Sequence, residues 1–558
     1  MFSFLSKALY WLTLACGLTS LSGQMTRPSS DCILDDIALS STYSLYDSNF
    51  QISSLYSPTQ VEPYYSNITT ALGFTVQYYT NYKIVHNPTS SGSGESYVLY
   101  QCGTPRPSLS APGVRDINNP KFFAIPLYKV AVHDTTAIAF LSSLKVLDRV
   151  QFVTKYTSHA CMMKLSQDQS CDAEVKDFGP WSSTPIEGAE QLEKVDAAFY
   201  FGSHASEKSI NFFAPYEPGA LQRAEWIKVS SLFFNKELEA EAFYRNVYNN
   251  YVALKRPESP KTLLWVGTYG GFVDPSWGGS KNKIMFTFAA YKADYAKDAG
   301  FKFLDFNTIG SGLLQAGCTA TSSIYNKEIS CSDLTNNAAL QAVVDVIRMA
   351  DVIVDQASWR NVKRPSDIYL EDFLGSIGVN GIAIGDLKSP STIVLRTDGI
   401  INRDTVLADW DWYEGMVPRP DLALKSLIEI TSEVVMKRNM WWRKLVGVGS
   451  THEFDIRSVS DCSLSQCYTN LEGICPSVYK NCNNTLSYAT LENRCEGACT
   501  STQAIPHTKV NKNELLIIIL TSTLLGSLVA GLLAYGIKIW YTRKSVATTV
   551  HDKEVGKI

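Results

Sequence analysis

His133, Asp134 and Thr135 follow the apolar run KVAV directly, and Ser203 with His204 follow DAAFYFG in the same way. An imidazole, a carboxylate and hydroxyls placed where buried strands end can bind a metal, hold a solute, or cap the next helix. Further along, KTLLWVG enters TYGGFVDPSWGGS, which offers Tyr269, Phe272 and Trp277. DVIVD enters QASW, which offers Gln356 and Trp359, and STIVLR ends on Arg396. Aromatic rings supply flat apolar area, and a guanidinium supplies a fixed cationic fork for an anionic group. The chemistry these positions suggest is recognition of a bulky solute. Plainer roles compete at several of them: Asp134 as a helix cap, Trp277 and Trp359 as packing, Arg396 as the partner of Asp398.

A bare metal ion is a second reading, carried by His86, His133, His159 and His204. None of these stand four residues apart, the helical spacing that marks a zinc site, and His133 with His204 is the pair both at strand ends. Enzymes find little support. The chain has no GxSxG elbow, no HExxH, no GxxxxGK[ST] loop and no GxGxxG after a strand. Asp409 and Asp411 are close acids, but glycoside hydrolysis needs a carboxyl pair held at a set distance across a cleft. The net charge of −4 and the absence of a basic block before the tail leave no footprint for nucleic acid.

Apolar runs of four to six residues alternate with helical patterns, which predicts parallel strands buried on both faces, an α/β fold. A hairpin, YKIVHN and SYVLYQCG, leads the series. In its middle stands a long rod, AEWIKVSSLFFNKELEAEAFYRNVYNNYVALKR. Phe243, Val247, Tyr251 and Leu254 form one stripe of its second helix, Asn235 is the expected N-cap, and Glu237 and Glu239 fall in the first turn.

At 558 residues the chain is long enough for several domains. Residues 1–22 read as a secretory signal peptide. Residues 515–537 form an uncharged apolar run of 23, long enough to span a bilayer, bordered by Lys538, Trp540, Tyr541, Arg543 and Lys544. The expected arrangement is type I: a large exterior part, one span and a tail over 538–558, at the plasma membrane or an endomembrane surface. Cysteine usage agrees, since twelve remain after Cys16 departs with the leader. Cys161 with Cys171 and Cys318 with Cys331 are the expected local disulfides. Cys462, Cys467, Cys475, Cys482, Cys495 and Cys499 are expected to staple a small module over 446–506. Asn67 and Asn483 open glycosylation sequons.

The order of elements, the segments EPGALQRAEWIKVSSLFFNKELEAEAFY and DWDWYEGMVPRPDLALKSLIEI, and the YVLYQCGTPRP hairpin resemble the periplasmic substrate-binding proteins of iron-siderophore and cobalamin uptake. The resemblance covers roughly residues 82–430. Where that family commonly has His-Pro after the PDL segment, this chain has Thr431 and Ser432. The resemblance implies two Rossmann-like lobes, 23–235 and 257–445, joined by a spine helix over 236–256. It also implies a cleft for a ferric siderophore, haem or cobalamin, with no resident cofactor and no catalysis. A membrane-anchored eukaryotic form would act as a capture receptor, delivering its chelate to a transporter or by endocytosis. A non-catalytic adhesion or scaffold receptor is the remaining alternative.

Overall fold

The leading hairpin is the centre of a four-stranded sheet. In the computed structural model β1 (Thr75–Tyr78), β2 (Tyr82–Asn87), β3 (Glu95–Gln101) and β4 (Lys121–Ile125) lie in that order, with β3 and β4 parallel. The structure describes Cys32, most of 66–268, 284–356, Phe373, 392–402, 411–432 and 441–445, and short pieces at 455–457, 462, 478–480 and 486–488. All of these fall in one unit, 1–496. The signal peptide, the 515–537 run, the tail, Asn67, Asn483 and Cys171, Cys467, Cys475, Cys482, Cys495 and Cys499 lie outside the described residues. Among the described residues no helix is long and apolar enough to cross a membrane.

The second sheet is wholly parallel. Its strands β5 (Val130–Val132), β6 (Val150–Val153), β7 (Lys176–Asp177), β8 (Ala197–Tyr200) and β9 (Ser209–Asn211) run in the order β7-β6-β5-β8-β9. Every residue of β5 and β8 is buried, which is why these strands read as unbroken apolar runs. Helices α1 (Thr136–Ser143), α2 (Ala160–Gln167) and α3 (Pro185–Glu193) connect them.

After α4 (Ala220–Ala224), the rod is α5 (Ile227–Leu232) and α6 (Glu237–Leu254), the last roughly 27 Å long at 1.5 Å per residue. The buried stripe of α6 is Ala240, Tyr244, Val247 and Tyr251, shifted toward the N-terminus from the expected one; Phe243 and Leu254 are half-buried. Asn235 is not the N-cap. It adopts φ 52°, a left-handed conformation that Asn tolerates, and Lys236 precedes the helix. Its side chain serves the sheet instead: Lys83 Nζ donates to Asn235 Oδ1 at 3.1 Å, and Asn235 Nδ2 donates to Gln101 Oε1 at 2.7 Å. Lys83 is also ion-paired with Glu237 in full burial. Burial pushes the Lys83 pKa down and the Glu237 pKa up, and their contact opposes both shifts.

The third sheet departs from the expected parallel pattern. It contains β10 (Thr262–Thr268), β11 (Ile284–Thr287), β12 (Lys302–Phe303), β13 (Thr319–Ser322), β14 (Lys327–Cys331), β15 (Val352–Asp355), β16 (Ile393–Arg396) and β18 (Arg443–Lys444). Strands β12, β10, β15 and β16 are parallel, but β11, β14, β13 and β18 add antiparallel pairings. Helices α7 (Ala290–Asp298), α8 (Phe306–Gln315), α9 (Asn337–Arg348) and α10 (Pro420–Thr431) belong to this part, and α6 packs against both α5 and α10. Trp265, Trp412 and Trp442 meet beneath it, with ring centroids 4.9 to 6.0 Å apart.

Disulfides correct two expectations. Cys318–Cys331 forms as read, joining the start of the β13–β14 hairpin to its end. Cys161 bonds Cys462, 301 residues away, and not Cys171, so proximity in sequence misled where the fold brings α2 beside a distant segment. Cys462 is therefore not stapled within 446–506. Part of that segment also joins the main fold, since β17 (Ile400–Asn402) pairs in parallel with β19 (Asp455–Arg457). A third bond, Cys32–Cys102, holds the chain's early part to the end of β3.

Candidate functional site

Strands β5 and β8 are parallel, so their carboxyl ends open on the same side. The backbone N–H groups of His133 and Asp134 both donate to Phe199 O, at 2.8 and 3.2 Å, which fixes this corner of the rim. Asp134 Oδ1 accepts from Thr136 N at 3.0 Å in a local turn, while Thr135 holds the N-cap position of α1 without a side-chain cap bond. Burial pushes its carboxyl up to about 6. The His133 ring stacks 5.3 Å from Tyr200, and Tyr200 stacks 4.2 Å from His204. Burial, with His204 close by, pushes the His133 imidazole down to about 4, and burial also lowers His204. At neutral pH this ledge is therefore aromatic and uncharged. Tyr200 was not nominated from sequence; its place at the end of an apolar strand hid a ring shared by both imidazoles. Thr135 stands half-buried beside it, and Ser203 lies outside the described residues.

The opposite rim forms at the carboxyl end of β15. Gln356 N donates to Val266 O at 2.7 Å, Gln356 Oε1 accepts from Trp265 Nε1 at 3.0 Å, and Gln356 Nε2 donates to Tyr413 Oη at 3.1 Å. The Tyr413 carbonyl accepts from Thr136 Oγ1 at 3.0 Å, so the two rims touch through one residue. Tyr413 keeps 37% of its surface exposed. Beneath it a buried acid pair closes the seam. Thr157 Oγ1 donates to Glu414 Oε1 at 3.0 Å, Ser158 N donates to Glu414 Oε2 at 2.9 Å, and Ser158 Oγ donates to Asp411 Oδ1 at 3.0 Å. Trp441 Nε1 takes the other Asp411 oxygen at 2.8 Å, and a Cβ at Gly415 would sit 2.2 Å from it, so only glycine fits there. Burial, aided by Asp411, pushes Glu414 up to about 8.

Arg396 is not on the rim. It is buried, donating to Asp355 at 2.9 Å and Asp398 at 3.0 Å, while Asp398 also accepts from Arg443 at 2.8 Å. A charge at the end of a buried strand must be neutralised, and Asp355 at the end of β15 and Asp398, two residues past β16, supply the acids. Another guanidinium stands nearer the seam. Arg223 of α4 lies 3.6 Å over the Tyr291 ring of α7, its Nε donating to Glu217 O at 2.8 Å. Lys292 lies 5.5 Å from the same ring and donates to Thr287 Oγ1 at 2.7 Å. Burial first, and then Arg223, pushes Lys292 down to about 7. Arg223 sits inside EPGALQRAEWIK, a segment read for its helices and not for its charge. Tyr269, Phe272, Trp277, Trp359 and Asp409 lie outside the described residues.

Among the described residues no three His, Cys, Asp or Glu side chains are grouped to hold a metal ion. His86 meets Ser96 and His159 meets Ser142, each away from the His133–Tyr200–His204 ledge.

No family model matches the chain. An uncharacterized lipoprotein of Methanocaldococcus jannaschii is 24% identical over 213 residues, which cover 35% of this chain and 51% of that protein. The chain thus spans about half the length of the curated relative it matches. Similar solved structures include a periplasmic binding protein from Veillonella parvula, with TM-score 0.37, 14% identity, and coverage of 63% of this chain and 99% of that one. The petrobactin-binding protein of Bacillus subtilis gives TM-score 0.36, 13% identity, and 56% and 93% coverage. The periplasmic haem-binding protein of Vibrio cholerae gives TM-score 0.34, 12% identity, and 54% and 98% coverage.

Proposed function

We propose that this protein is a cell-surface solute-binding receptor that captures a ferric siderophore or a similar metal chelate or tetrapyrrole, such as haem or cobalamin. The observation that supports this reading most is the meeting of two strand-end rims through Tyr413. One rim is the neutral His133–Tyr200–His204 ledge; the other is the Gln356–Tyr413 amide and phenol pair. A flat apolar wall facing a few fixed polar groups suits a bulky ligand with polar edges. The α6 rod packs on both parts, so closure on ligand is small. In this reading the leader and the 515–537 span place the binding part outside the membrane. The solute then passes to a partner transporter or enters by endocytosis, and no chemistry is done on it.

The test mixes the purified chain with ferric siderophores, haem and cobalamin, following visible absorption and tryptophan fluorescence through a desalting step. Colour retained with saturable quenching by one solute is the expected result. Failure to retain any of them, and of divalent metals as well, would remove the uptake reading and leave the scaffold receptor.

A further inference from the structure

The loop that follows β8 is tied down by side chains of the neighbouring elements. Lys121 of β4 donates to His204 O at 3.3 Å, to Ser209 O at 3.3 Å and to Ser209 Oγ at 2.7 Å. Its ammonium is ion-paired with Glu95 of β3 at 3.0 Å. The Ser209 hydroxyl lies 2.8 Å from His204 O and 2.7 Å from Ser206 O, so it donates to the loop while accepting from Lys121. The backbone at His204 is thus fixed, although the residue itself stands exposed. Its ring plane is set as well, within 8° of the Tyr200 ring at 4.2 Å. Ser206 N lies 3.2 Å from His204 Nδ1. A peptide N–H can only donate, so Nδ1 accepts, and the single proton of the neutral imidazole sits on Nε2. The ring is neutral at pH 7 because burial first, and then the Lys121 ammonium, lower its pKa, with Glu95 opposing. Among the described residues Nε2 takes no partner.

We propose that His204 is a hydrogen-bond donor to the solute, its Nε2–H meeting an oxygen at the edge of a metal chelate, with Lys121 and Ser209 as the positioning residues that hold it so. The inference rests on reading the two rims as a solute site and deepens it. Metal ligation at Nε2 would need the lone pair of that nitrogen, and would drive the proton to Nδ1 against the Ser206 N–H. The solute class that suits such a donor is a coordinatively complete chelate with carboxylate or hydroxamate oxygens at its edge, and not a bare divalent ion.

The first test is an imidazole proton–nitrogen correlation spectrum of the full-length chain labelled at its seven histidines. The His204 signal, identified by its loss in His204→Phe, is expected to show the proton on Nε2; a proton on Nδ1 would overturn the proposal. Titrations would then use ferric citrate, a neutral ferric trihydroxamate and zinc ion alone. His204→Phe keeps a stacking ring without the donor and should weaken both chelates about tenfold. His204→Gln, whose amide can place an N–H near the position of Nε2–H, should recover part of that loss. Lys121→Met should weaken the chelates about threefold and mix the two tautomers in the spectrum, a change that a merely structural role would not produce; Ser209→Ala serves if that variant folds poorly. Zinc binding that disappears with His204→Phe would overturn the proposal by making His204 a metal ligand. Chelates held equally by the natural chain and His204→Phe would overturn it while sparing the solute reading. Failure of the natural chain to hold either chelate, with the proton found on Nε2, would remove the solute reading and leave the tautomer standing.

Discussion

The two strand-end rims differ in what they do with charge. The rim of β5 and β8 carries two imidazoles held below their ordinary range and a phenol, all neutral, beside an Asp134 carboxyl that burial raises to about 6 and that is still mostly ionised at neutral pH. The end of β15 and β16 instead carries full charges locked into a buried network of Asp355, Arg396, Asp398 and Arg443. The same place in a parallel sheet therefore carries neutral rings in one part, where the proposed recognition would lie, and a buried ion network in the other. What differs between them is whether an acid stands within ion-pair reach, as Asp355 and Asp398 do at Arg396. Where it does, the pair turns inward; where it does not, the polar group stays available at the mouth.

The largest expected effect breaks the charged side of this contrast. Arg396→Gln leaves Asp355 and Asp398 buried with one cation fewer, and should cost about 3–5 kcal/mol in chemical denaturation. Replacing His204 by Phe, on the neutral side, should stay within about 0.5 kcal/mol, because an exposed ring replaces another. Similar losses at both positions would erase the distinction.

The seam beneath Tyr413 sharpens the comparison through pH. The Glu414 carboxyl is raised from its ordinary 4.5 to about 8 in the fold, so the folded protein holds a proton there that the unfolded chain releases. Its contribution is thus greatest below about 4.5, falls as pH rises through that window, and is gone above about 8. The slope attributable to it is at most about 1.4 kcal/mol per pH unit. Glu414→Gln should flatten the decline in stability between pH 5 and about 8, measured by denaturation at several pH values. An unchanged slope would show that Glu414 is solvated and ionised like an ordinary surface acid.

A smaller effect belongs to the hydrogen bond within the second rim. Tyr413→Phe removes the acceptor of Gln356 Nε2 and should cost about 1 kcal/mol, while leaving the Thr136 contact to the Tyr413 carbonyl in place. Gln356→Leu should cost more, since it also strips Trp265 Nε1 of its buried partner.

Much of the architecture was legible because burial on both faces writes itself as uninterrupted apolar runs. KVAV, DAAFYFG, KTLLWVG, DVIVD and STIVLR all became strands, and the rod became α5 and α6. The mixed character of the third sheet was not legible. The strands of TATSSIYNKEISC are short, and those of β13 are exposed along their whole length, so they carry no apolar signal. Asn235 looked like a cap because helix caps and left-handed positions favour the same residue. The Cys161–Cys462 bond was hidden by its span, since only the finished fold brings those positions together. His133, His204 and Gln356 lie at or just past strand ends as read, and the burial of Arg396 among acids was not legible without a view across strands. Tyr413, where the two rims touch, drew no notice because it sits in a short helical turn whose packing residues dominate the pattern.

The central claim is that one solute is held by both rims at once. Hydrogen exchange with and without the retained solute tests it most directly. The account predicts slowed exchange in the backbone around 133–136, 199–204, 356 and 411–414 together. Protection confined to one rim, or located away from both, would contradict it.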